Sequence, residues 1–297
     1  MPCYNPQKDY FKRNPNPETG KYSLTFHPKN SNKELAPVET PCGRCIGCRL
    51  EYSRQWAVRC IHEAKMHKHN EFITLTYSEE NIPNGQTLQY IDFQLFIKRL
   101  RKRFGKGIGY FMCGEYGEQT RRPHYHAIIF GLPLPDKLPH SKNESGNTLY
   151  ISKTLSDLWG KGHCYTGDVT FESAAYVARY VTKKIYGPLS VDHYNGRVPE
   201  FARMSTKYAI GKKWLEKYHG DILSTGLIHL KGGKTCGIPR YYKKWLDKNI
   251  GDKNALMKIK NINHMENPTV KFENSPERLK VRKAIKKISL ERLKRNK

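Results

Sequence analysis

Segments with strand-like and helix-like residue patterns alternate between residues 70 and 185 of the chain. Phe72–Tyr77 alternates β-branched and aromatic residues with polar ones, which predicts a strand. Residues 108–116 and 123–132 predict two more strands, joined by a polar connection short enough for a hairpin. Ile91–Phe104 has apolar residues at helical spacing and a basic face, which predicts an amphipathic helix. This alternation indicates one mixed domain of helices and strands.

The rest of the chain is less regular. Residues 1–40 are rich in Pro, Asn and Lys, which predicts extended chain and turns, and residues 133–147 predict an insertion loop. Residues 163–170 favour extended chain. Further helices are predicted at residues 49–68, 149–159, 171–185, 239–249 and 271–297.

The chain carries a large positive charge. Its 53 Lys and Arg residues exceed its 27 Asp and Glu residues by 26 among 297 residues in total. Such a surplus favours a polyanionic partner, with nucleic acid ahead of an anionic membrane surface. No apolar run approaches the 18 or so residues of a membrane span, and the first residues lack the apolar segment of a secretory signal. We therefore expect a cytoplasmic protein without a membrane partner, whose eight cysteines are thiols or metal ligands.

A histidine pair is the first candidate for chemistry. His124 and His126 lie two residues apart in a predicted strand, so their imidazoles project from one face and can bind one metal ion. Such a pair also arises by chance in a chain with twelve histidines. Glu115 on the neighbouring predicted strand can complete the site, with Glu118 as its nearest rival. Two imidazoles and one carboxylate leave positions open for water and a phosphate oxygen.

Two tyrosines lie four residues apart on the helix predicted at 171–185. Tyr176 and Tyr180 share one helix face, and Lys183 and Lys184 follow within a turn of Tyr180. Aromatic residues at this spacing also pack in cores. The lysines favour a chemical role, since forming a phenolate at pH 7 costs about 4 kcal/mol and nearby cations lower that cost. Together with a metal site, these residues describe attack of a tyrosine on a DNA phosphate.

Several arginines are candidates for binding the DNA backbone, although such charges often form only a solvated surface. They are Arg121, Arg122 and Arg179. A second metal site is suggested by the C-x₂-C-x₂-C spacing of Cys42, Cys45 and Cys48. Possible fourth ligands for a structural zinc ion are Cys3, Cys60 and His62. Reduced thiols at a turn are an equal alternative, and an iron–sulfur site is disfavoured because Tyr52 stands where a fourth cysteine is wanted.

Three segments, taken in order, match the motifs of a known family. They are Phe72-Ile-Thr-Leu-Thr76, Arg122-Pro-His-Tyr-His126 and Tyr176-Val-Ala-Arg-Tyr-Val-Thr-Lys-Lys184. The chain resembles the replication initiator proteins of microviruses, small single-stranded DNA phages, and among them the gokushovirus group. These proteins belong to the HUH endonucleases, which start rolling-circle replication. The resemblance also includes the segments 42–48, 113–117 and 239–242, so it covers roughly residues 40–245.

The resemblance implies an α+β fold with a ferredoxin-like antiparallel sheet and flanking helices, in which Mg²⁺ or Mn²⁺ is held by the histidine pair. It also implies that one tyrosine nicks single-stranded origin DNA and the other takes the new junction, releasing a circle. Host helicase and polymerase are the expected partners, in the cytoplasm of the infected bacterium. The resemblance also implies four divisions of the chain. They are an N-terminal segment with a cysteine turn and a helix (residues 1–69), the HUH core (70–186), a family-specific part (187–250) and a basic tail (251–297).

Two other classes of protein share some of these features. The first is a non-catalytic, basic nucleic-acid-binding protein with a zinc knuckle, in which the tyrosines pack in a core. The second is a transposase or mobilisation relaxase with the same chemistry. A covalent, metal-dependent adduct with DNA separates the enzymes from the binding protein. A zinc deaminase is excluded because its H-x-E signature has no match at His126.

Overall fold

The computed structural model describes residues 3–18, 20–143, 146–179, 184–185, 187–207, 209–251 and 255–295. This part of the chain divides into two compact units. One is formed by residues 1–51 together with 262–297, and the other by residues 52–261.

The first unit contains a small antiparallel sheet in the order β2-β1-β3. Its strands are β1 (Gln7–Phe11), β2 (Leu24–Thr25) and β3 (Val38–Thr40). Helix α1 (Ile46–Ala64) begins here and continues into the second unit. The C-terminal helices are α8 (Ala255–Glu266), which crosses the boundary, α9 (Pro268–Glu273) and α10 (Pro276–Arg295).

The second unit is built on an antiparallel sheet of seven strands among the described residues, in the order β10-β5-β6-β4-β9-β8-β7. The strands are β4 (Asn70–Thr76), β5 (Gly109–Tyr116), β6 (Pro123–Phe130), β7 (Leu138–Lys142), β8 (Thr148–Ile151), β9 (Cys164–Gly167) and β10 (Phe201–Met204). A separate pair is formed by β11 (Ile228–His229) and β12 (Thr235–Cys236).

Helices of the second unit are α2 (Tyr90–Phe104), α3 (Lys153–Trp159), α4 (Phe171–Arg179), α5 (Leu189–Tyr194), α6 (Lys212–Thr225) and α7 (Arg240–Asn249). Short 3₁₀ turns lie at Pro28–Asn30, Glu79–Asn81, Asn84–Gln86 and Lys231–Gly233. None of the helices in the described part of the chain is both long and apolar enough to cross a bilayer.

Helices cover both faces of the large sheet, because its central strands are apolar on both sides. Tyr125, Ala127 and Ile129 of β6 point to the face on which α2 and α3 pack, whereas Ile128 and Phe130 point to the face covered by α1 and α4. This two-sided burial follows from the period of two along a strand. Strands β4 and β6 are therefore held in one register by apolar packing on both faces of the sheet.

Helix α2 buries its apolar stripe against the first of these faces. Phe93, Phe96 and Leu100 are inaccessible to solvent, and Gly105, at a φ of 98°, ends the helix in a conformation that favours glycine. Helix α3 starts at Ser152, whose hydroxyl accepts a hydrogen bond from the Leu155 amide. A third apolar cluster joins α6 and α7 to the middle of α1.

The predictions for regular structure hold best where the pattern is longest. The strands at 72–77, 108–116 and 123–132 and the helices at 91–104 and 239–249 are confirmed, and so is an α+β fold with antiparallel sheets. The prediction of a helix from residue 149 is wrong over its first turn. Residues 148–151 instead form β8, which pairs with β7, a strand inside the expected insertion loop at 133–147. The helix starts only after the Ser152 cap.

Candidate active site

Three neighbouring strands bring the candidate metal ligands together. The register of β5 and β6 pairs Glu115 with His124, and the register of β4 and β6 pairs Thr74 with His126. Since side chains alternate along each strand, these four point to the same face of the sheet, the one on which α4 packs. Strand pairing thus brings residues up to 52 positions apart in the sequence together at one site.

The two histidines and the carboxylate converge on one point. The Oε1 atom of Glu115 lies 2.8 Å from Nε2 of His124 and 2.9 Å from Nε2 of His126. The three ligand atoms lie within 4.8 Å of one another, and the two imidazole rings are nearly perpendicular at 87°. Adjacent ligands of an octahedral ion with bonds of 2.0–2.1 Å are about 2.9 Å apart. The two distances from the Glu115 oxygen to the histidine nitrogens therefore match those between adjacent ligands of such an ion.

The outer nitrogen of each histidine is fixed by a second hydrogen bond. Nδ1 of His124 lies 3.1 Å from the carbonyl oxygen of Arg122, which can only accept, so this nitrogen carries the proton. Nδ1 of His126 lies 2.9 Å from the hydroxyl of Thr74. With Nδ1 protonated, Nε2 of His124 turns a lone pair toward the Glu115 carboxylate. A cation, either a proton or a metal ion, is needed between two such acceptors.

Glu115 is held in its ionised form although its side chain is buried. Burial acts to raise its pKa, but the hydrogen bonds and the positive charge from His124 and His126 outweigh burial, and the pKa is lowered. The carboxylate is 2% exposed. A buried anion beside two imidazoles is the arrangement expected of a cation site.

Tyr176 packs directly against this group. It lies on α4, whose buried residues Ala174 and Val177 attach the helix to the sheet. The Tyr176 ring meets the His126 ring edge-on, with centroids 5.0 Å apart. Phe72 stacks on His126 at 5.7 Å and also meets the Tyr176 ring edge-on at 6.2 Å. The hydroxyl-bearing ring is therefore next to the candidate ion site.

The other predicted residues are only partly described by the structure. Arg179 is exposed at the end of α4, and Lys184 is half-buried. Tyr180 and Lys183 lie outside the described residues. Glu118 lies in the turn between β5 and β6, whereas Glu115 is the acid grouped with the histidines.

The two predicted DNA-binding arginines of the β5–β6 turn contact the protein itself. Arg122 forms an ion pair with Glu79 and donates a hydrogen bond of 2.9 Å to the Tyr77 carbonyl. Arg121, with a φ of 55°, donates to the carbonyl of His193 at 3.3 Å. Both residues are only partly exposed.

Two residues that contact the site, Thr74 and Phe72, could not be assigned a role from the sequence. From the sequence, Thr74 could contact DNA or simply support the sheet. Only the β4–β6 register shows that it contacts His126. Phe72 is an ordinary strand residue until its stacking on His126 is seen. The alternation of residues 72, 74 and 76 onto one face is the pattern that could have identified them.

The fourth member of the cysteine cluster is Cys3, and Cys60 lies elsewhere. Cys3, Cys42, Cys45 and Cys48 form one group in the first unit, with their sulfur atoms within 4.8 Å of one another. Cys60 is fully buried among apolar residues of the second unit. The alternative ligand His62 is also buried there, stacked on Trp214 with ring centroids 3.5 Å apart.

Fold and site together define an α+β protein whose antiparallel sheet presents a two-histidine, one-carboxylate group beside a helix tyrosine. A model of the replication-associated protein ORF2/G2P family matches residues 70–185, the segment that carries this site. The chain is also similar over most of its length to named phage proteins. It is 40% identical to the replication-associated protein VP4 of Bdellovibrio phage phiMH2K, over 88% of this chain and 83% of that protein.

Two other relatives extend the comparison. The chain is 36% identical to the replication-associated protein ORF2 of Spiroplasma virus 4, over 86% of this chain and 80% of that one. It is 30% identical to ORF4 of Chlamydia phage 1, over 71% of this chain and 54% of that one. The chain belongs to the family of phage replication-associated proteins. The resemblance to phage replication initiators is thereby confirmed. No solved structure matches it.

Proposed function

We propose that the protein is a rolling-circle replication initiator, an endonuclease of the HUH type that nicks single-stranded origin DNA and rejoins the ends. One observation carries the proposal. Glu115 Oε1 lies within 2.9 Å of the Nε2 atoms of both His124 and His126, and the Tyr176 ring packs on the second of these histidines. A metal ligand set and a nucleophile are thus next to each other.

The topology of the second unit supports this assignment. Along the chain, β4, α2, β5, β6, α3 and β9 follow the order strand-helix-strand-strand-helix-strand. In the sheet these four strands lie in the order β5-β6-β4-β9, all antiparallel. We infer from this connectivity a ferredoxin-like core, with the β7–β8 hairpin inserted between β6 and α3. We infer that the histidine strand β6 occupies the central position that HUH endonucleases give it.

Mg²⁺ or Mn²⁺ is the ion that we assign to this site. This choice of ion follows the resemblance to HUH endonucleases, and two imidazoles with one carboxylate leave positions open for water and phosphate oxygens. A bound divalent ion would withdraw charge from a non-bridging phosphate oxygen. The protein's contribution is to orient both imidazoles, through the Arg122 carbonyl, which also fixes the tautomer of His124, and through the Thr74 hydroxyl at His126.

The reaction follows from the position of the tyrosine. Oη of Tyr176, having lost its proton, attacks the phosphorus in line with the departing 3′ oxygen. The Oη–P bond forms as the P–O3′ bond breaks, and the 3′ oxygen takes up a proton. The products are a 5′-phosphotyrosyl link and a 3′-hydroxyl primer. We assign Tyr180 to the second transfer, which closes the circle, and Lys183 and Lys184 to stabilising phenolate or phosphate.

The remaining assignments concern partners and place. A net charge of +26 supports binding to the single-stranded origin, with Arg121, Arg122 and Arg179 as contacts to the backbone. Arg122 must exchange its contact with Glu79 for a phosphate to act in this way. Host helicase and polymerase are the expected partners for unwinding and copying, in the cytoplasm of the infected bacterium.

A covalent-adduct assay tests the proposal. The full-length protein is mixed with labelled single-stranded oligonucleotides that tile the phage genome strand, with Mn²⁺, Mg²⁺ or EDTA, and run on denaturing gels. We expect a metal-dependent adduct with at least one oligonucleotide. It should be lost in the double variant Tyr176→Phe/Tyr180→Phe, because the attacking oxygen is gone. The single variants test the assignment of Tyr176 as the first nucleophile, since an adduct that survives in Tyr176→Phe and is lost in Tyr180→Phe would reverse it.

Tyr218→Phe provides a matched control, because this tyrosine is exposed on α6 in another part of the unit. It should form the adduct at the wild-type rate. Salt-sensitive binding without an adduct, from folded protein with either ion and across the whole strand, would instead favour the non-catalytic binding protein.

A further inference from the structure

The four thiols of the first unit lie close enough together to bind a single ion. Cys42, Cys45 and Cys48 come from the turn that leads into α1 and from its first residues, and Cys3 comes from the N-terminal segment before β1. Sulfur atoms of Cys3 and Cys45 are 3.9 Å apart, and none of the four cysteines is in a disulfide. We propose that they form a tetrathiolate zinc site in which Cys3 is the fourth ligand.

The spacing of the sulfur atoms matches one tetrahedral ion. With Zn–S bonds of about 2.3 Å, the sulfur atoms of a ZnS₄ site lie about 3.8 Å apart. The measured separation of 3.9 Å and the limit of 4.8 Å for all pairs fit that edge. An iron–sulfur cubane places each of its cysteine sulfurs on a different iron, so it needs a wider cage than this one. Hard ions such as Mg²⁺ do not select thiolates.

Backbone amides point at three sulfur positions of the same cluster. The amide of Tyr4 donates to Sγ of Cys45 at 3.3 Å, and the amide of Cys42 donates to Sγ of Cys3 at 3.2 Å. The amide of Cys45 donates to Sγ of Cys42, also at 3.3 Å. Amide donors favour thiolate over thiol, so they support the form of cysteine that binds metal. Such donors also orient the ligands, as outer contacts do in metal sites.

The first unit has little else to hold it together. Among its described residues, the buried hydrophobic side chains are Tyr4 and Leu279, and its sheet consists of strands of five, two and three residues. Small units without an apolar core are commonly stabilised by a structural metal. The ion would join the N-terminal segment to the start of α1, and the free energy of binding would become folding free energy. This inference does not depend on the proposed nuclease function.

Metal content and zinc affinity test the site. The full-length protein is purified with the double substitution His124→Ala/His126→Ala, so that the other metal group is removed. Zinc is counted by mass spectrometry, and affinity is measured by competition with a chromogenic chelator. We expect one zinc per chain. Cys3→Ser should weaken zinc binding about a hundredfold or more, because one of four ligands is lost.

Two further variants make the result decisive. Cys236→Ser is the matched control, since this half-buried thiol lies outside the cluster, and it should bind zinc like the parent. Cys3→His keeps a zinc ligand at the position and should recover most of the affinity, which separates ligation from folding. The visible spectrum of the Co²⁺-loaded protein should report tetrahedral thiolate ligation. Absence of zinc, unchanged affinity in Cys3→Ser, or an iron chromophore in the purified protein would each overturn the proposal.

Discussion

Thr74→Val removes the hydroxyl that holds the outer nitrogen of His126 while keeping the shape of the side chain. The Nδ1–Oγ1 distance is 2.9 Å, and His126 is 7% exposed, so water cannot easily replace the lost partner. Leaving a buried donor unsatisfied costs about 1–3 kcal/mol. At about 1.4 kcal/mol per factor of ten, we expect the Mn²⁺ affinity of the site to fall about tenfold to a hundredfold.

The assay measures Mn²⁺ binding by electron paramagnetic resonance of the unbound ion, together with nicking rate as a function of Mn²⁺ concentration. Thr74 is a positioning residue, so the half-saturating Mn²⁺ concentration should rise while the rate at saturation is largely recovered. Thr76→Val is the matched control on the same strand and face, because the Thr76 hydroxyl donates instead to the His163 carbonyl at 3.1 Å. Equal Mn²⁺ affinity in wild type and Thr74→Val, or equal losses in both variants, would refute the reasoning.

Two further predictions concern stability. Burial lowers the pKa of His62 to about 3, so His62 stays neutral in the folded protein while the unfolded chain binds its proton below about pH 6.5. Stability should therefore fall with decreasing pH by up to about 1.4 kcal/mol per unit between those values. Urea unfolding at several pH values should show that His62→Gln loses this pH dependence of the free energy of unfolding, whereas a substitution of the exposed residue, His229→Gln, keeps it. The same pH dependence in His62→Gln and wild type would contradict the assignment. Gly162→Ala should destabilise the fold by several kcal/mol in the same assay, because its Cβ would lie 2.3 Å from a backbone nitrogen, whereas Gly220→Ala, with open space around it, should not. A Gly162→Ala protein as stable as wild type would show that the backbone there adjusts freely.

The chemistry of the site was more predictable from the sequence than its supporting contacts. Strand periodicity alone places His124 and His126 on one face, and a short hairpin connection brings Glu115 opposite His124. The order of β4 relative to β6 depends on pairing between distant segments, which local patterns do not encode. Thr74 therefore gained its role only from the register.

The fourth cysteine shows the same limit. Cys60 is closer in sequence to the C-x₂-C-x₂-C turn than Cys3 is, but it lies inside α1, one helical turn after the buried Trp56. Its side chain is committed to the core between α1 and the sheet. Which cysteine completes a cluster is decided by the path of the chain through three dimensions, and spacing along the sequence carries little of that information.

Strands and helices were missed where they are short or irregular. The β7–β8 hairpin is exposed on most of β7, so it lacks the hydrophobic alternation that marks a half-buried strand. Strand β10 has four residues, and it extends the sheet beside β5 after a long connection. Helix α6 contains a break at Tyr218, which interrupts its periodicity. Tertiary pairing stabilises these elements, while local propensity contributes little.

The first unit combines residues 1–51 with residues 262–297, so it joins segments from opposite ends of this chain. Synthesis proceeds from the N-terminus at about 5–20 residues per second, which delays the second of these segments by more than ten seconds after the first. The unit made of residues 52–261 is complete on the ribosome before that segment emerges. A ribosome-bound chain that has exposed residues up to 261 should therefore already display the histidine and carboxylate group, whereas the unit around Cys3 is completed only when residues 262–297 emerge.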